Sequence, residues 1–367
     1  MLAQLNCLQI ACQNLGIQTE KLDQNGNFWS LNWQNQILET SSTIHKNPIN
    51  SNYQVKIFKN IQNLKKPKSQ NKIFKKSNFY FVNSQTPFNN QDVVAICKDK
   101  FFTYKLLEKT VKQPLTWSFL DPNCSNNYKE YLEFINFTEI AKFISQKLTF
   151  PLILKPNSGS LGVNVQKIHN QTELKNGIAK IFDVNSKDYD YVMIAQEFVE
   201  IEKEFRVLVV NNSVELVYQK DNSRAEFVGN LNPLHWANAT VKIVKKSQNQ
   251  QIFWQNLTKI VSQISTKLDL NWAGLDIAKM KNGKLILIEI NTNPRFSLFL
   301  QSEIQTETEV SNPKIKNNLK NLNLQNPNLV ENNSNYDFQK LPKHKIITKL
   351  YTLALQNLQR KSKFTDF

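Results

Sequence analysis

Two apolar runs joined by Asn282-Gly283 constrain the fold of this chain more than any other feature. Asn-Gly is favoured in two-residue type I′ hairpin turns. The flanking runs, Ala273–Met280 and Lys284–Ile290, have the composition of β-strands. We therefore predict a β-hairpin whose loop consists of residues 282 and 283.

The register of this hairpin is expected to bring oxygen-bearing side chains together. With a two-residue loop, Lys281 faces Lys284 and Asp276 faces Glu289. Alternate residues share a face of a strand, so Asn291 joins the two acids. Carboxylates about 5 Å apart among apolar residues repel one another unless a positive group lies between them. Because Mg²⁺ prefers oxygen ligands and substrate phosphates, the pattern predicts a metal site. A solvent-facing side paired with lysines is the alternative.

The rest of residues 150–300 has the pattern of an α+β fold. One amphipathic helix is predicted at Ile252–Leu268, where apolar residues recur at helical spacing. Short β-rich runs surround it. Besides the hairpin they are Pro151–Lys155, Val163–Ile168, Tyr191–Gln196, Phe205–Val210 and Val214–Tyr218.

A polar loop follows the apolar run Phe150–Leu154 and contains two of the chain's eight glycines, Gly159 and Gly162. Backbone amides in such a loop can bind phosphate oxygens, while Lys155 at its start supplies a positive charge. A plain polar hairpin loop would look the same. The segment is neither a Walker A motif nor a dinucleotide fingerprint.

Acidic residues follow the next predicted strand. Glu197 ends that apolar run, and Glu204 comes after a short extended linker. Placed in this way, the two acids can bind an adenine and a ribose. A β-bend that merely carries charges is the alternative.

Composition bounds the class of protein. The chain has 367 residues and 40% apolar residues, enough for two or three packed subdomains. It has no apolar run of about 18 residues, and Met1–Leu15 does not resemble a signal peptide, so we expect a cytoplasmic protein with no membrane partner. Cys7, Cys12, Cys97 and Cys124 lack the spacing of metal ligands and are expected to be free thiols.

The net charge of +16 raises the alternative of a nucleic-acid-binding module. Only four of the 46 basic residues are arginine, while Lys, Asn, Gln and Ile are abundant throughout. This points to a genome-wide compositional bias, so a nucleic-acid partner is not expected. The dense basic stretch at residues 65–76 is interpreted as a solvated loop.

Several short segments occur in a fixed order between about residues 95 and 299. They are Lys98-Asp99-Lys100 with Thr103, Lys155-Pro156 with its glycine-containing loop, Gln196-Glu197-Phe198-Val199 with Glu204-Phe205-Arg206, Gly274-Leu275-Asp276, and Glu289-Ile290-Asn291-Thr292-Asn293-Pro294. Together they resemble the ATP-grasp superfamily. The likeness is greatest to the branch that contains glutathione synthetase, the ribosomal-protein glutamate ligase and the ATP-grasp part of cyanophycin synthetase.

The resemblance implies an ATP-grasp fold, in which two α+β lobes clamp ATP, with a small N-terminal domain. It implies ATP and Mg²⁺, or Mn²⁺ in its place, as cofactors. Phosphates, adenine and ribose would be bound by Lys100, Lys155, Ser158, Gly159, Ser160, Gly162, Glu197, Phe198, Val199 and Glu204. The same resemblance makes Asp276, Glu289 and Asn291 the metal ligands, in agreement with the hairpin register.

The chemistry implied is transfer of the γ-phosphate of ATP to a carboxylate, followed by attack of an amine on the acylphosphate. An amino acid or a peptide would be the substrate. Positive charge must stabilise the phosphoryl group and the oxyanion, and arginine is scarce here, so we expect Arg206 and Arg295 to be catalytic. Arg224 and Lys220 are candidate substrate or lid contacts. A kinase that phosphorylates a hydroxyl, or a non-catalytic nucleotide-binding protein, remains an alternative, and a homo-oligomer is left open.

Two positions depart from the family pattern. Several of these ligases have glycine after the last motif, where this chain has Arg295, so the substrate pocket is expected to differ. D-alanine–D-alanine ligases have an arginine where this chain has Gly274, which disfavours that activity.

The expected domains follow from these segments. Residues 1–92 would form the N-terminal domain, beginning with a helix closed by Gly16. Residues 93–300 would form the ATP-grasp domain, with a small lobe at about 95–192, including a helix at Tyr128–Lys147, and a large lobe at about 193–300. Residues 301–367 would form a low-complexity linker and a C-terminal helix at Ile346–Leu358.

Overall fold

The computed structural model describes residues 3–24, 28–36, 74–83, 85–159, 162–221, 240–300 and 341–364. Its helices are α1 (Ala3–Asn14), α2 (Gln91–Lys98), α3 (Lys100–Leu107), α4 (Phe137–Lys147), α5 (Gln171–Ile181), α6 (Gln251–Ser265) and α7 (Pro342–Phe364). Its strands are β1 (Gln18–Lys21), β2 (Phe28–Gln36), β3 (Phe74–Val82), β4 (Thr116–Leu120), β5 (Leu152–Pro156), β6 (Gln166–Ile168), β7 (Val192–Glu197), β8 (Ile201–Val210), β9 (Ser213–Asp221), β10 (Thr240–Ile243), β11 (Trp272–Met280) and β12 (Leu285–Asn291).

The strands form three antiparallel sheets. The N-terminal sheet has the order β1-β2-β3, the second has the order β4-β7-β5-β6, and the third has the order β10-β9-β8-β11-β12. The chain passes from the second sheet to the third between residues 197 and 201, a few residues after the lobe boundary expected from the sequence. Helices and antiparallel sheets in this arrangement confirm the α+β class.

Helices α4 and α5 cover one face of the second sheet. Each begins at an asparagine whose side chain accepts a hydrogen bond from the backbone N–H of a glutamate three residues on: Asn136 from Glu139 and Asn170 from Glu173. These caps satisfy donors that the first helical turn leaves unpaired. The buried core between the helices and the sheet includes Ile140, Ile144, Leu152, Leu154, Leu174 and Ile178.

The third sheet is covered on both faces. On one face, α6 buries Trp254, Leu257, Val261 and Ile264 against apolar residues of β8 and β11. On the other, the N-terminal sheet, α1 and α7 form a second core. In that core Trp272 of β11 stacks on Tyr351 of α7, with ring centroids 4.7 Å apart. The cavity described below is thus lined in part by residues of a sheet that is packed on both faces.

Some element predictions were wrong. Of the helix predicted at Tyr128–Lys147, only α4 is α-helical, because Asn136 caps a new helix there; Asn126–Tyr131 is a 3₁₀ turn. Strands β4 and β10 were not predicted. The C-terminal helix forms and extends beyond the predicted span at both ends. The predicted linker and the basic stretch at 65–76 lie outside the described residues.

Candidate nucleotide and metal site

The hairpin of β11 and β12 forms with the predicted pairing of its acids but with a different turn. Asp276 faces Glu289, and Gly274 faces Asn291. At the turn, Gly283 N–H donates to the Met280 carbonyl, and Met280 N–H donates to the Lys284 carbonyl. Among the residues of this turn, only Gly283 has a positive φ, of 79°. A type I′ turn needs positive φ at both central residues, so the predicted two-residue loop, with Lys281 opposite Lys284, was wrong.

A β-bulge restores the register. Near the turn Ile277 faces Leu287, whereas the next pair is Asp276 with Glu289, so Ile288 is an extra residue in β12. Compared with the predicted register, the observed turn shifts the strand pairing by one residue, and the bulge at Ile288 shifts it back. Bulges often re-aim side chains beside active sites, and this one sets Glu289 on the same face as Asp276.

A row of charged side chains crosses three strands on that face. Arg206 of β8 is the direct cross-strand partner of Asp276, which is the partner of Glu289. The Arg206 Nε donates to Asp276 Oδ1 at 3.0 Å, and its Nη2 donates to Oδ2 at 3.2 Å. The ammonium of Lys220 lies 2.8 Å from Oδ1. The buried Asp276 is therefore held by two cations.

These cations keep Asp276 ionised. Burial alone would raise the pKa of its carboxyl, but Arg206 and Lys220 outweigh burial and lower the pKa below its ordinary value. Burial would lower the pKa of Arg206, and the charge of Asp276 raises it instead. Asp276 is thus ionised inside the protein. It is suited to binding cations and has no proton to donate.

Gly274 makes room for Arg206. A β-carbon at residue 274 would lie 2.9 Å from Nη1 of Arg206 and 2.9 Å from Cβ of Pro294. Contacts this short cannot be accommodated without movement, so only glycine fits. The guanidinium beside Gly274 belongs to Arg206 of the neighbouring strand β8.

The other metal-ligand candidates lie beside Asp276. Asn291 Nδ2 is 3.4 Å from Asp276 Oδ2, and Glu289 Oε1 is 3.5 Å from the ammonium of Lys100. Within the described ranges, no group of three or more His, Cys, Asp or Glu side chains could hold a metal. Two carboxylates and an amide oxygen nevertheless fit Mg²⁺, which commonly binds one or two carboxylates and completes its shell with water and phosphate.

Lys155 extends from β5 into the same space. Its ammonium donates to Gln196 Oε1 at 3.0 Å, and Gln196 in turn donates to the Thr116 hydroxyl at 2.9 Å. Burial lowers the pKa of Lys155 to about 8, only partly offset by the charge of Glu289. A buried lysine with a depressed pKa is well suited to an anionic ligand, which would restore its charge.

Asn157 joins the start of α3 to the polar loop. Its side chain donates to Asp99 Oδ2 at 2.7 Å and accepts from Phe101 N–H at 2.9 Å. Its carbonyl accepts from the Lys100 ammonium at 3.2 Å, and the Gly159 carbonyl accepts from the same ammonium. Lys100 is thereby held at the loop, facing Glu289. Asn157 was not predicted as a site residue, because its partners are distant in the chain.

Of the residues predicted to bind phosphate in the polar loop, only some line the cavity described below. Ser158 does not line the cavity, since its N–H and hydroxyl both donate to Asp190, at 2.8 and 2.7 Å. Gly159 and Gly162 do line it, and Gly162 has a φ of 70°. Ser160 lies outside the described residues. Ser158 and Asp190 therefore anchor the base of the loop.

The expected adenine segment lies at the edge of the second sheet. Glu197 exchanges hydrogen bonds with Leu115: its N–H donates to the Leu115 carbonyl at 2.8 Å, and its Oε2 accepts from Leu115 N–H at 3.3 Å. The ammonium of Lys167 lies 4.0 Å from the ring centroid of Phe198. Glu197, Phe198 and Val199 all line the cavity.

One cavity of about 600 Å³ gathers these groups. This volume is in the range of small-molecule sites. The predicted residues that line it are Lys100, Lys155, Gly159, Gly162, Glu197, Phe198, Val199, Glu204, Arg206, Asp276, Glu289, Asn291 and Arg295. Lys220 lines it too, but its ammonium is bound to Glu204 and Asp276. Arg224 lies outside the described residues.

The chain also matches a known protein family. The RimK-like ATP-grasp domain matches residues 98–312, more than half of the chain. The chain belongs to the RimK-like ATP-grasp family. A relative from Methanococcus maripaludis, "Coenzyme gamma-F420-2:alpha-L-glutamate ligase", is 25% identical over 244 residues, which cover 65% of this chain and 71% of the relative.

Solved structures similar to this RimK-like chain include D-alanine–D-alanine ligases. The Bacillus anthracis enzyme complexed with ATP is 19% identical, with a TM-score of 0.42 over 60% of this chain and 64% of that one. The Coxiella burnetii enzyme is 15% identical, with a TM-score of 0.46 over 76% of this chain and 62% of that one.

Membership of the family confirms the expected ATP-grasp fold and the expected enzyme class, an ATP-dependent ligase that forms carbon–nitrogen bonds. In the described part of the chain, no helix combines the length and apolar character needed to cross a membrane.

Proposed function

We propose that this RimK-like protein is an ATP- and Mg²⁺-dependent carboxylate–amine ligase, which joins an amino acid to a second substrate through an acylphosphate. The observation that carries the proposal is the convergence of Asp276 and Glu289 with Lys100 and Lys155 in one cavity. Two acids that can bind a metal, beside two lysines that can bind phosphate, form a site for a metal nucleotide.

ATP would lie along the cavity from the second sheet to the third. Glu197, Phe198 and Val199 would contact the adenine, and Glu204 would accept hydrogen bonds from the ribose hydroxyls; all four residues line the cavity. Lys100 and Lys155 would contact the phosphates, and Gly159 and Gly162 would cover them. Binding of phosphate would replace the Glu289 contact of Lys100 and restore the full charge of Lys155.

The metal would be held by Asp276, Glu289 and Asn291, after the Asn291 amide turns its oxygen toward it. Mg²⁺ supplies charge stabilisation to the phosphates in such sites. The chain's own contribution is to keep Asp276 ionised and to hold both acids on one face. Arg206 and the bulge at Ile288 serve this purpose.

The acyl substrate would meet the γ-phosphate near Arg206. Its carboxylate oxygen attacks phosphorus and ADP leaves; the amine then attacks the acyl carbon, releasing phosphate and a proton. Arg206 and the lysines would stabilise the transferring phosphoryl group and the oxyanion. A mostly buried guanidinium fixed by Asp276 is preorganised for this role.

The amine substrate would be an amino acid with a negatively charged group. Arg295 is exposed and lines the cavity together with Asn293 and Ser297, and no acid among the described residues forms an ion pair with it. A guanidinium in that setting suits a carboxylate. The Methanococcus maripaludis relative is named an α-L-glutamate ligase, which supports an acidic amino acid here. We place the reaction in the cytoplasm, where ATP is available.

The test is a screen for ADP release. The purified protein is incubated with ATP and Mg²⁺ and with pairs of amino acids, peptides and carboxylic acids, and products are identified by mass. A new amide with one ADP per bond is the expected result. ADP released with a phosphorylated hydroxyl and no amide would contradict the ligase assignment.

A further inference from the structure

Lys220 of β9 is buried between two acids that belong to different strands. It is the direct cross-strand partner of Glu204 on β8. Its side chain is 3% exposed, and its ammonium contacts Glu204 Oε1 and lies 2.8 Å from Asp276 Oδ1. A lysine is almost never buried in this way without paired acids.

The two acids both line the cavity but have different proposed ligands. Asp276 lies in the charged row of the proposed metal site, while Glu204 is the acid proposed to bind ribose. Lys220 engages Oε1 of Glu204, and the side chain of Glu204 is 20% exposed, so Oε2 can accept from a ligand. One ammonium therefore fixes an acid at the sugar position relative to an acid at the phosphate position.

We propose that Lys220 is a positioning residue for the nucleotide: it holds Glu204 in the orientation that binds the ribose hydroxyls and links that acid to Asp276. The inference rests on the proposed function, since it takes Glu204 as the ribose ligand. It replaces the sequence-based interpretation of Lys220 as a substrate or lid contact, because an ammonium already bound to two acids is poorly placed to reach a substrate.

A purely architectural lysine would give a different result. If Lys220 only balanced buried charge, its loss would lower stability and weaken binding of all nucleotides equally. A positioning residue acts through Glu204, so its loss must weaken recognition of the ribose in particular. Discrimination between ribose and deoxyribose separates the two roles, because it cancels effects common to both nucleotides.

The experiment measures the dissociation constants of ADP and 2′-deoxy-ADP by calorimetry in the presence of Mg²⁺. The proteins are the wild type, Glu204→Gln, Lys220→Met and the double variant. Lys242→Met is the matched control, since Lys242 on the adjacent strand β10 also pairs with an acid, Asp221, but is 71% exposed and does not line the cavity. Thermal unfolding is recorded for each protein.

The wild type is expected to prefer ADP by about tenfold or more, as a hydrogen bond to a charged acceptor allows. Glu204→Gln and Lys220→Met should each reduce that preference severalfold, and the double variant should reduce it no further than either single change. Lys242→Met should keep it. If Lys220→Met does not fold, the double variant removes both charges together, and Lys220→Arg, which retains the charge, should keep the preference.

The outcomes separate this inference from the proposed function. If Glu204→Gln loses the sugar preference while Lys220→Met keeps it, Lys220 does not position Glu204 and the inference is overturned. A greater loss in the double variant than in both single variants would also overturn it. If Glu204→Gln keeps the wild-type preference, the ribose assignment itself is wrong. If no protein binds ADP at all, the nucleotide site is wrong.

Discussion

The guanidinium of Arg206 lies against Gly274, in the space that a β-carbon at residue 274 would need. Pro294 borders the same space, with its Cβ 2.9 Å from the position of that β-carbon. The side chain that neutralises Asp276 is therefore positioned by the absence of a side chain on the neighbouring strand. The lack of a side chain at residue 274 thus affects both the packing of Arg206 and the charge balance of Asp276.

Gly274→Ala is predicted to damage the site more than the fold. The added carbon must displace Arg206 or Pro294, which costs about 1–3 kcal/mol of stability as overpacking. A displacement of about 1 Å at the reacting groups can lower kcat roughly 100-fold. Gly283→Ala in the same hairpin is the matched control: its positive φ costs about 1–2 kcal/mol, but nothing lies within 4 Å, so activity should persist. Equal activity of both variants would contradict the role given to Arg206.

Lys155 is predicted to make nucleotide binding pH-dependent. Burial lowers its pKa to about 8 from an ordinary 10.5. Above pH 8 the free protein loses this charge, so ADP affinity should fall by up to about tenfold per pH unit until the pKa of the complex is reached. Lys155→Met should bind weakly at every pH and lose this dependence, whereas Lys147→Met should retain it. Calorimetry between pH 6.5 and 9.5 provides the comparison.

The lowered pKa of Lys155 also predicts how the stability of the protein depends on pH. Between pH 8 and 10.5 the unfolded chain binds more protons at Lys155 than the folded protein does. The free energy of unfolding therefore gains a contribution that rises with pH in this window. Subtracting the urea-unfolding curves of Lys155→Met from those of the wild type isolates it; a difference that falls with pH would refute the assignment.

Asn157 is predicted to position Lys100. Asn157→Ala leaves the Asp99 carboxylate without its amide donor and Phe101 N–H without its acceptor. We expect a loss of about 1–3 kcal/mol of stability and an ADP affinity reduced about tenfold. Asn136→Ala is the control, because Asn136 caps α4 in the same part of the chain and its loss should cost about 0.5–2 kcal/mol of stability alone. Unchanged ADP binding by Asn157→Ala would contradict the proposal that Asn157 positions Lys100 to contact the nucleotide.

Glu289→Gln is predicted to abolish Mg²⁺-dependent turnover and leave the fold intact. The amide keeps the shape of the side chain but removes the charge that a divalent cation requires. Glu202→Gln is the matched control, since Glu202 also pairs with a lysine, Lys279, near the surface of the same sheet. Turnover is followed by ADP release, and folding by circular dichroism. If Glu289→Gln kept its Mg²⁺-dependent activity, Glu289 would not be a required metal ligand.

The pairing of Asp276 with Glu289 could be predicted from the sequence, although the predicted two-residue turn was wrong. Asn-Gly marks a turn, and period-2 alternation assigns faces. The turn has a different type, and the bulge at Ile288 compensates for it. Short-range patterns indicate that a hairpin forms, but they do not distinguish a two-residue loop from a longer loop followed by a bulge.

Other features depend on contacts that a linear pattern does not contain. Strand β4 has only 5 residues and lies between helical segments, so its apolar spacing is ambiguous. The partners of Asn157 lie 56 and 58 residues away. The position of Lys220 between Glu204 and Asp276 requires the register of three strands at once. The order of strands in the sheet determines these contacts, and the sequence offers no local sign of that order.

Asp276, Glu289 and Asn291 are proposed to hold a divalent cation beneath the phosphates of the nucleotide. Anomalous diffraction from crystals grown with Mn²⁺ and ADP tests this proposal most directly, because the peak locates the metal independently of any activity. We predict a peak within coordination distance of Glu289 and Asp276 and adjacent to the β-phosphate. A bound nucleotide whose metal peak lies away from the hairpin of β11 and β12 would show that these three residues do not bind the metal.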